Sequence, residues 1–192
     1  MNVFYLDRNP KTCAEMHCDK HVVKMIVEYA QILSTAHRML DGTKYIDITK
    51  NGRKITRYKL SDNLENIVYK ACHFNHPSTV WARTSSQHYD WLYELWRELS
   101  AEYRHRYGNA KGKDHSSWTL LGDILKTTPK NLEDKGFSEP PQAMKKFPEC
   151  MVEGNSIQAY KNYYIIAKKE FAKWTNRQIP EWYTNGLTTE II

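Results

Sequence analysis

The sequence predicts a mainly α protein, a compact single-domain helical bundle over residues 1–192 with one small β-hairpin at about residues 44–60. Three observations point there. Apolar residues recur at helical spacing through residues 11–40 and 86–107. Two β-rich segments flank Asn51-Gly52, a strong short-range hairpin signal. No repeat, linker or shift in composition divides the 192 residues, a length that fits one core.

Taken in order, residues 3–6 form a short apolar run suited to a strand or a tucked extended segment. Residues 7–10 then offer an N-cap and an early-helix proline. One long helix is expected from residue 11 to about 40, stopping near Gly42. The hairpin follows, with a basic second arm of Arg53, Lys54, Arg57 and Lys59. Ser61 or Asp62 is expected to cap a helix through Leu64, Ile67, Val68 and Ala71, broken at Asn75-His76-Pro77. Short and long helices are expected at about 80–83 and 86–107, a loop at 108–114 and a short helix at 116–126. Residues 127–154, rich in Pro, Gly and charge, are too long for a simple connection and read as a functional or overlaid loop. A last helix is expected at about 156–174.

Hydrophobic residues make up 41% and charged residues 26%, which suits a globular chain. Basic residues outnumber acidic ones 28 to 22, and the pI is about 9.0. Such an excess favours nucleic acid or a phosphorylated nucleotide, although it is also common in proteins that bind neither. Cys13, Cys18, Cys72 and Cys150 form no CxxC pair, and the start lacks a basic stretch followed by an apolar run. With no apolar window of membrane length, the expectation is a cytoplasmic protein with free thiols and no membrane partner. No cofactor is implied.

The stretch MHCDKHVVKMIVEYAQ interrupts its apolar residues with His17, His21, Lys24, Glu28 and Gln31. At about 100° per residue these fall, with Thr35, within an arc of roughly 80°. The plainer reading is a solvated strip with Lys24 and Glu28 as an i, i+4 pair. The sharper one makes the strip the floor of a cleft, where burial and neighbouring charge tune an amine and a carboxylate for acid–base or nucleophilic work. A metal site is a third reading. His17 and His21 share a helix side, Cys13 lies a turn back, and His73 or His76 would have to complete the set; HExxH is absent, and no metal ligand is assigned.

A second constellation gathers Asn75, His76, Trp81, Arg83, Ser85, Ser86 and His88 at a helix–loop–helix junction. Helix starts suit phosphate, Arg83 and Ser85 would add donors, and Trp81 could stack on an unpaired base. Core packing for the tryptophan and helix capping for the serines explain each residue singly. Together with Arg57 and the basic hairpin, they make a phosphate-bearing ligand reasonable.

The run KMIVEYAQIL, with Lys24, Glu28, Gln31, Ile32 and Leu33, resembles the helix of the pyrimidine-dimer DNA glycosylases, an endonuclease V-like family of small bacterial and viral proteins. The segment from Asn75 to Trp81 and the Trp/Leu/Tyr-rich helix after it resemble that family too, with a weaker echo near Tyr160 and Tyr164. The family's early D-x-H, and its glutamate seven residues after the His, match Asp19, His21 and Glu28. The whole chain is also similar to uncharacterised tailed-phage proteins. The resemblance covers about residues 13–36 and 75–107, on short motifs. It implies an all-α DNA glycosylase/AP lyase for damaged or modified nucleotides in duplex DNA. An amine attacks C1′ and displaces the base through an imine, and a carboxylate stabilises the sugar cation and assists β-elimination. Glu28 matches the carboxylate. In the family the amine is an N-terminus with a small residue after the initiator Met. Here Asn2 follows Met1, a departure that makes Lys24 the in-sequence substitute, with His21 beside it. Two other functions stay open: a phage protein that sequesters a cyclic or adenine signalling nucleotide, and a metal-dependent enzyme built on His17 and His21.

Overall fold

In a computed structural model, which describes residues 1–61, 63–111 and 113–189, the axis of the molecule is helix α2 (Asp19–Asp41). Its 23 residues, about 34 Å long, bury Val22, Met25, Ile26, Tyr29, Ala30, Ile32, Leu33 and Ala36. α4 (Ser86–Lys111) packs against both α2 and α1 (Pro10–Met16), and α3 (Pro77–Ala82) and α5 (Ser116–Leu121) also lie against α2. Trp96 of α4 donates its indole N–H to the Ile26 carbonyl at 2.8 Å. α6 (Ser156–Ala167) and α7 (Glu181–Thr189) pair with each other. The protein is therefore mainly α, and among the described residues no helix is long and apolar enough to cross a membrane.

The expected single helix over 11–40 is two. Asn9 caps α1 through its side chain, and Pro10 opens it as foreseen. At His17 and Cys18 the backbone turns extended. In a continuous helix the Cys13 carbonyl would accept the His17 N–H. Here it accepts the imidazole Nδ1–H instead, at 2.7 Å, and α1 closes on the His17 N–H to Ala14 bond. The Asp19 carboxylate then starts α2 by accepting from Arg106 and from Thr175. Arg106 is itself buried against Glu102, which Arg177 also pairs.

β1 (Thr43–Ile48) and β2 (Lys54–Lys59) form the foreseen hairpin in antiparallel register, Thr43 opposite Lys59 and Ile48 opposite Lys54. Thr49 N–H donates to Arg53 O, so the turn has three residues, and Gly52, at φ 74°, takes the left-handed position.

The helix expected over 61–71 does not form. Only a short 3₁₀ turn, Asn63–Asn66, is present; Ser61 caps no helix, and Asp62 lies outside the described residues. The cause is Arg38 of α2, 2% exposed. Its guanidinium donates to the carbonyls of Tyr58, Glu65, Val68 and Tyr69 and to the Glu65 carboxylate, at 2.6–2.9 Å. A guanidinium has five N–H groups, and these bonds use them all. Carbonyls turned toward Arg38 cannot also serve a helix of their own.

Other boundaries shift as well. α4 runs through the loop expected at 108–114 to Lys111; Gly112 lies outside the described residues, and Arg104 grips Asp114 beyond it. α5 stops at Leu121 rather than Lys126. α6 ends at Ala167, short of Trp174, because the chain leaves to dock on the α1–α2 junction, with Trp174 Nε1 donating to Met16 O. α7 carries no sequence expectation. Its Gly186 packs where any Cβ would collide with Ile165 of α6. Residues 127–154 are laid over the body. Asp41 accepts the backbone N–H groups of Lys130 and Asn131, and Tyr160 O–H donates to Pro141 O.

Replacing Arg38 by methionine strands the buried Val68 carbonyl, three part-buried carbonyls and the Glu65 carboxylate, so urea denaturation is expected to show a loss of about 3 kcal/mol or more. Arg38→Lys recovers little, since an ammonium has three donors and no planar fork. A lysine variant of wild-type stability would contradict this account of residues 58–69.

Candidate active site at the start of the chain

The N-terminal segment has no strand partner, yet residues 3–6 are buried. Its backbone is held by side chains. Phe4 N–H donates to the Tyr29 hydroxyl at 3.2 Å, the Cys13 thiol donates to Phe4 O, and Leu6 N–H reaches Cys13 Sγ. Tyr29 in turn bonds His17 Nε2 at 3.1 Å. Each group is satisfied if His17 is neutral with its proton on Nδ1, because Tyr29 then accepts from Phe4 and donates to His17. Burial, the dominant influence, pulls the His17 pKa down to about 4.

Held at Phe4, the chain delivers its first residue to the open strip of α2. The Met1 amine lies 3.5 Å from Glu28 Oε2, and Lys24 Nζ lies 3.1 Å from Oε1. Glu28 is mostly covered (16% exposed), whereas Lys24 is 64% exposed. Thr35 O–H donates to Gln31 O and accepts the Cys72 N–H, so the residues after Ala71 return along the strip toward Glu28. Burial pushes the Cys72 thiol pKa up, and Glu28 adds to the effect while the Met1 amine opposes it. His76 is held below the usual histidine range by burial, then by the Met1 amine and His73, with Glu28 opposing. Beside this cluster opens a cavity of about 420 Å³ lined by Asn2, His76, Ala143, Lys145, Phe147 and Tyr163 among others. That is within the range of small-ligand pockets.

The strip is therefore shorter than periodicity suggests. Lys24, Glu28 and Gln31 share it. His17 and His21 point into the core instead. His21 bonds the Tyr164 hydroxyl at 2.6 Å and stacks on Phe4, and burial drives its pKa to about 2. No group of three or more His, Cys, Asp or Glu among the described residues is arranged to hold a metal ion.

The second constellation divides too. His76 caps α3 through Nδ1 and borders the cavity, and Asn75 is exposed beside it. Trp81 is core: its indole N–H donates to Ser138 O, and its ring stacks on His88 at 4.7 Å. Ser85 accepts the Lys135 N–H and holds the long overlaid loop. Arg83 is half-buried and interacts with Tyr58, and its Nη1 has no hydrogen-bond partner among the described residues. Arg57 stays on the hairpin, 3.7 Å from Asp47. Sequence reasoning missed the cavity wall from residues 143–147 and the place of the Met1 amine. The resemblance and the apolar run behind Met1 both hinted at the second, but Asn2 turned the expectation toward Lys24.

An amine against a mostly covered carboxylate suits attack on an electrophilic carbon followed by proton transfer. Holding that amine in place depends on neutral His17. His17 stays neutral in the fold down to about pH 4, whereas in the unfolded chain it protonates near its ordinary 6.5. The unfolded state binds more protons in that window, so stability is full above pH 6.5 and is lost as pH falls toward 4. His17→Gln is expected to flatten the pH dependence of urea unfolding by up to about 1.4 kcal/mol per pH unit; an unchanged slope would contradict the relay. No protein-family model matches this chain, and no curated protein or solved structure is found to be similar to it.

Proposed function

We propose that the protein is a DNA base-excision glycosylase/AP lyase-like enzyme acting on damaged or modified nucleotides, with the Met1 amine as nucleophile and Glu28 as its carboxylate. One observation carries the reading: an amine and a largely covered carboxylate lie 3.5 Å apart beside a ligand-sized cavity. The resemblance of KMIVEYAQIL to pyrimidine-dimer DNA glycosylases supports it. Asn2 is no obstacle to this assignment, because a retained Met1 itself brings the amine to Glu28.

The neutral amine attacks C1′ of the target nucleotide, and the C1′–N bond breaks as the base leaves with its electron pair and takes up a proton. The nitrogen sheds one proton and the C1′–O4′ bond breaks, O4′ taking up a proton, which leaves a protonated imine whose positive charge the Glu28 carboxylate balances. A base then removes a proton from C2′, the C3′–O bond breaks, and the 3′-phosphate departs. Water hydrolyses the imine and frees the amine. The Met1 amine is almost wholly covered and held against Glu28. Lys24 is exposed and better placed to fix Glu28 or meet a phosphate.

A second reading, a protein that sequesters a nucleotide, draws on the same cavity, where Lys145 and Lys146 border Phe147 and Tyr163. Borohydride trapping on an abasic duplex separates the two. A covalent adduct mapping to Met1 is expected, falling about 10²-fold or more in Glu28→Gln and less than about tenfold in Lys24→Ala. An adduct on Lys24 would move the nucleophile. No adduct on any damaged duplex, with tight binding of a free nucleotide, would replace the first reading by the second.

A further inference from the structure

Almost all of the protein's excess charge sits on one small projection. Residues 43–60 contain six cations (Lys44, Lys50, Arg53, Lys54, Arg57 and Lys59) against one acid, Asp47. That is +5 of the chain's net +6, so the other 174 residues are nearly neutral. Among the described residues, only Arg57 of the six has an ion-pair partner.

The same hairpin carries apolar side chains in water. Strand alternation and register put Lys44, Ile46 and Ile48 on one face with Lys54, Thr56 and Tyr58. Ile46 is 58% exposed and Ile48 65%, and Tyr45 is exposed on the opposite face. Two isolated strands are marginal in water, yet the root of this hairpin is firmly held. Tyr58 O accepts from buried Arg38, and the Tyr58 ring packs edge-on against Phe74. A rigidly rooted ribbon with a wet apolar strip and unpaired cations has no role in the core.

We infer that the hairpin of β1 and β2 is a duplex-DNA docking element that enters the major groove, its cations meeting the phosphates and Ile46 and Ile48 meeting base edges. The inference rests on the proposed action on DNA. Two strands lie about 4.8 Å apart, and the major groove, about 12 Å wide, admits a two-stranded ribbon. The charge arrangement favours a groove over a flat anionic membrane. Arg57 and Lys59 lie on one face, Lys44 and Lys54 on the other, and Lys50 and Arg53 at the tip. A plane meets one side of such a ribbon, whereas groove walls flank it on both. The hairpin root is about 20 Å along α2 from Glu28, the rise of roughly six base pairs, so one duplex can reach both.

The test measures fluorescence anisotropy of an undamaged duplex with the full-length protein over a salt series. Arg53→Gln with Lys54→Gln is expected to weaken binding about tenfold at low salt. It should also make the slope of log affinity against log salt shallower by about 2, near 0.9 for each phosphate no longer neutralised. Ile46→Ser with Ile48→Ser is expected to weaken binding with the slope unchanged. Wild-type affinity and slope in both double variants would overturn the inference. So would binding of the wild-type protein to phosphatidylserine vesicles but not to duplex. The assay needs no turnover. If the wild-type protein forms no borohydride adduct while the hairpin variants lose duplex, docking stands and the lyase falls. Hairpin variants that bind duplex and trap as wild type leave the lyase and remove the docking.

Discussion

A buried backbone N–H must have an acceptor, and the one on Phe4 finds the Tyr29 hydroxyl. Everything peculiar to this protein's first thirty residues follows from that bond. Tyr29 can accept from Phe4 because its own proton goes to His17, and His17 can take it because its Nδ1–H is already on the Cys13 carbonyl. The last of these bonds ends α1, and after an extended His17 and Cys18 the chain starts α2 at Asp19. Residues 3–6 are thus clamped in the core without a sheet, and the Met1 amine is carried to Glu28. A side-chain relay does here what a strand ladder does elsewhere.

Local chemistry was legible in the residues. Asn9 and Pro10 announce α1, Asn51-Gly52 announces the hairpin, and the Trp and Leu spacing announces α4. Long-range chemistry was not. Residues 61–71 carry helical spacing, but whether their carbonyls serve a helix or a guanidinium depends on Arg38, some 27–31 positions earlier. His17 and His21 look like members of a wet strip until the break at Cys18 turns His17 away and Tyr164 draws His21 inward. α7 is hidden by its Gly and Thr content, which propensity disfavours; the close packing on Ile165 calls for the glycine, Gly186. Glu28 and Lys24 were readable as a pair from spacing. That a third charged group, the Met1 amine, would join them depended on where residues 1–6 fold.

Charge and chemistry are kept apart in the molecule. The amine–carboxylate pair sits on a nearly neutral body, where burial of Glu28 shields its contact with the amine from solvent. The net positive charge is displaced to the hairpin, beyond the far end of the same helix. α2 links the two, with Glu28 in its first half and Arg38 in its last turn holding the hairpin root. Under the proposed function, this division places most of the charge that gathers a polyanion away from the amine and its carboxylate.

The account stands or falls on the Met1 amine. The most direct measurement compares nicking of an abasic duplex by the native chain and by one extended by a few residues ahead of Met1, with Lys24 and Glu28 untouched. The account predicts that the extension, by removing the amine from Glu28, lowers nicking about 10²-fold or more while the fold, followed by circular dichroism, is unchanged. Equal nicking by the folded, extended chain would contradict it.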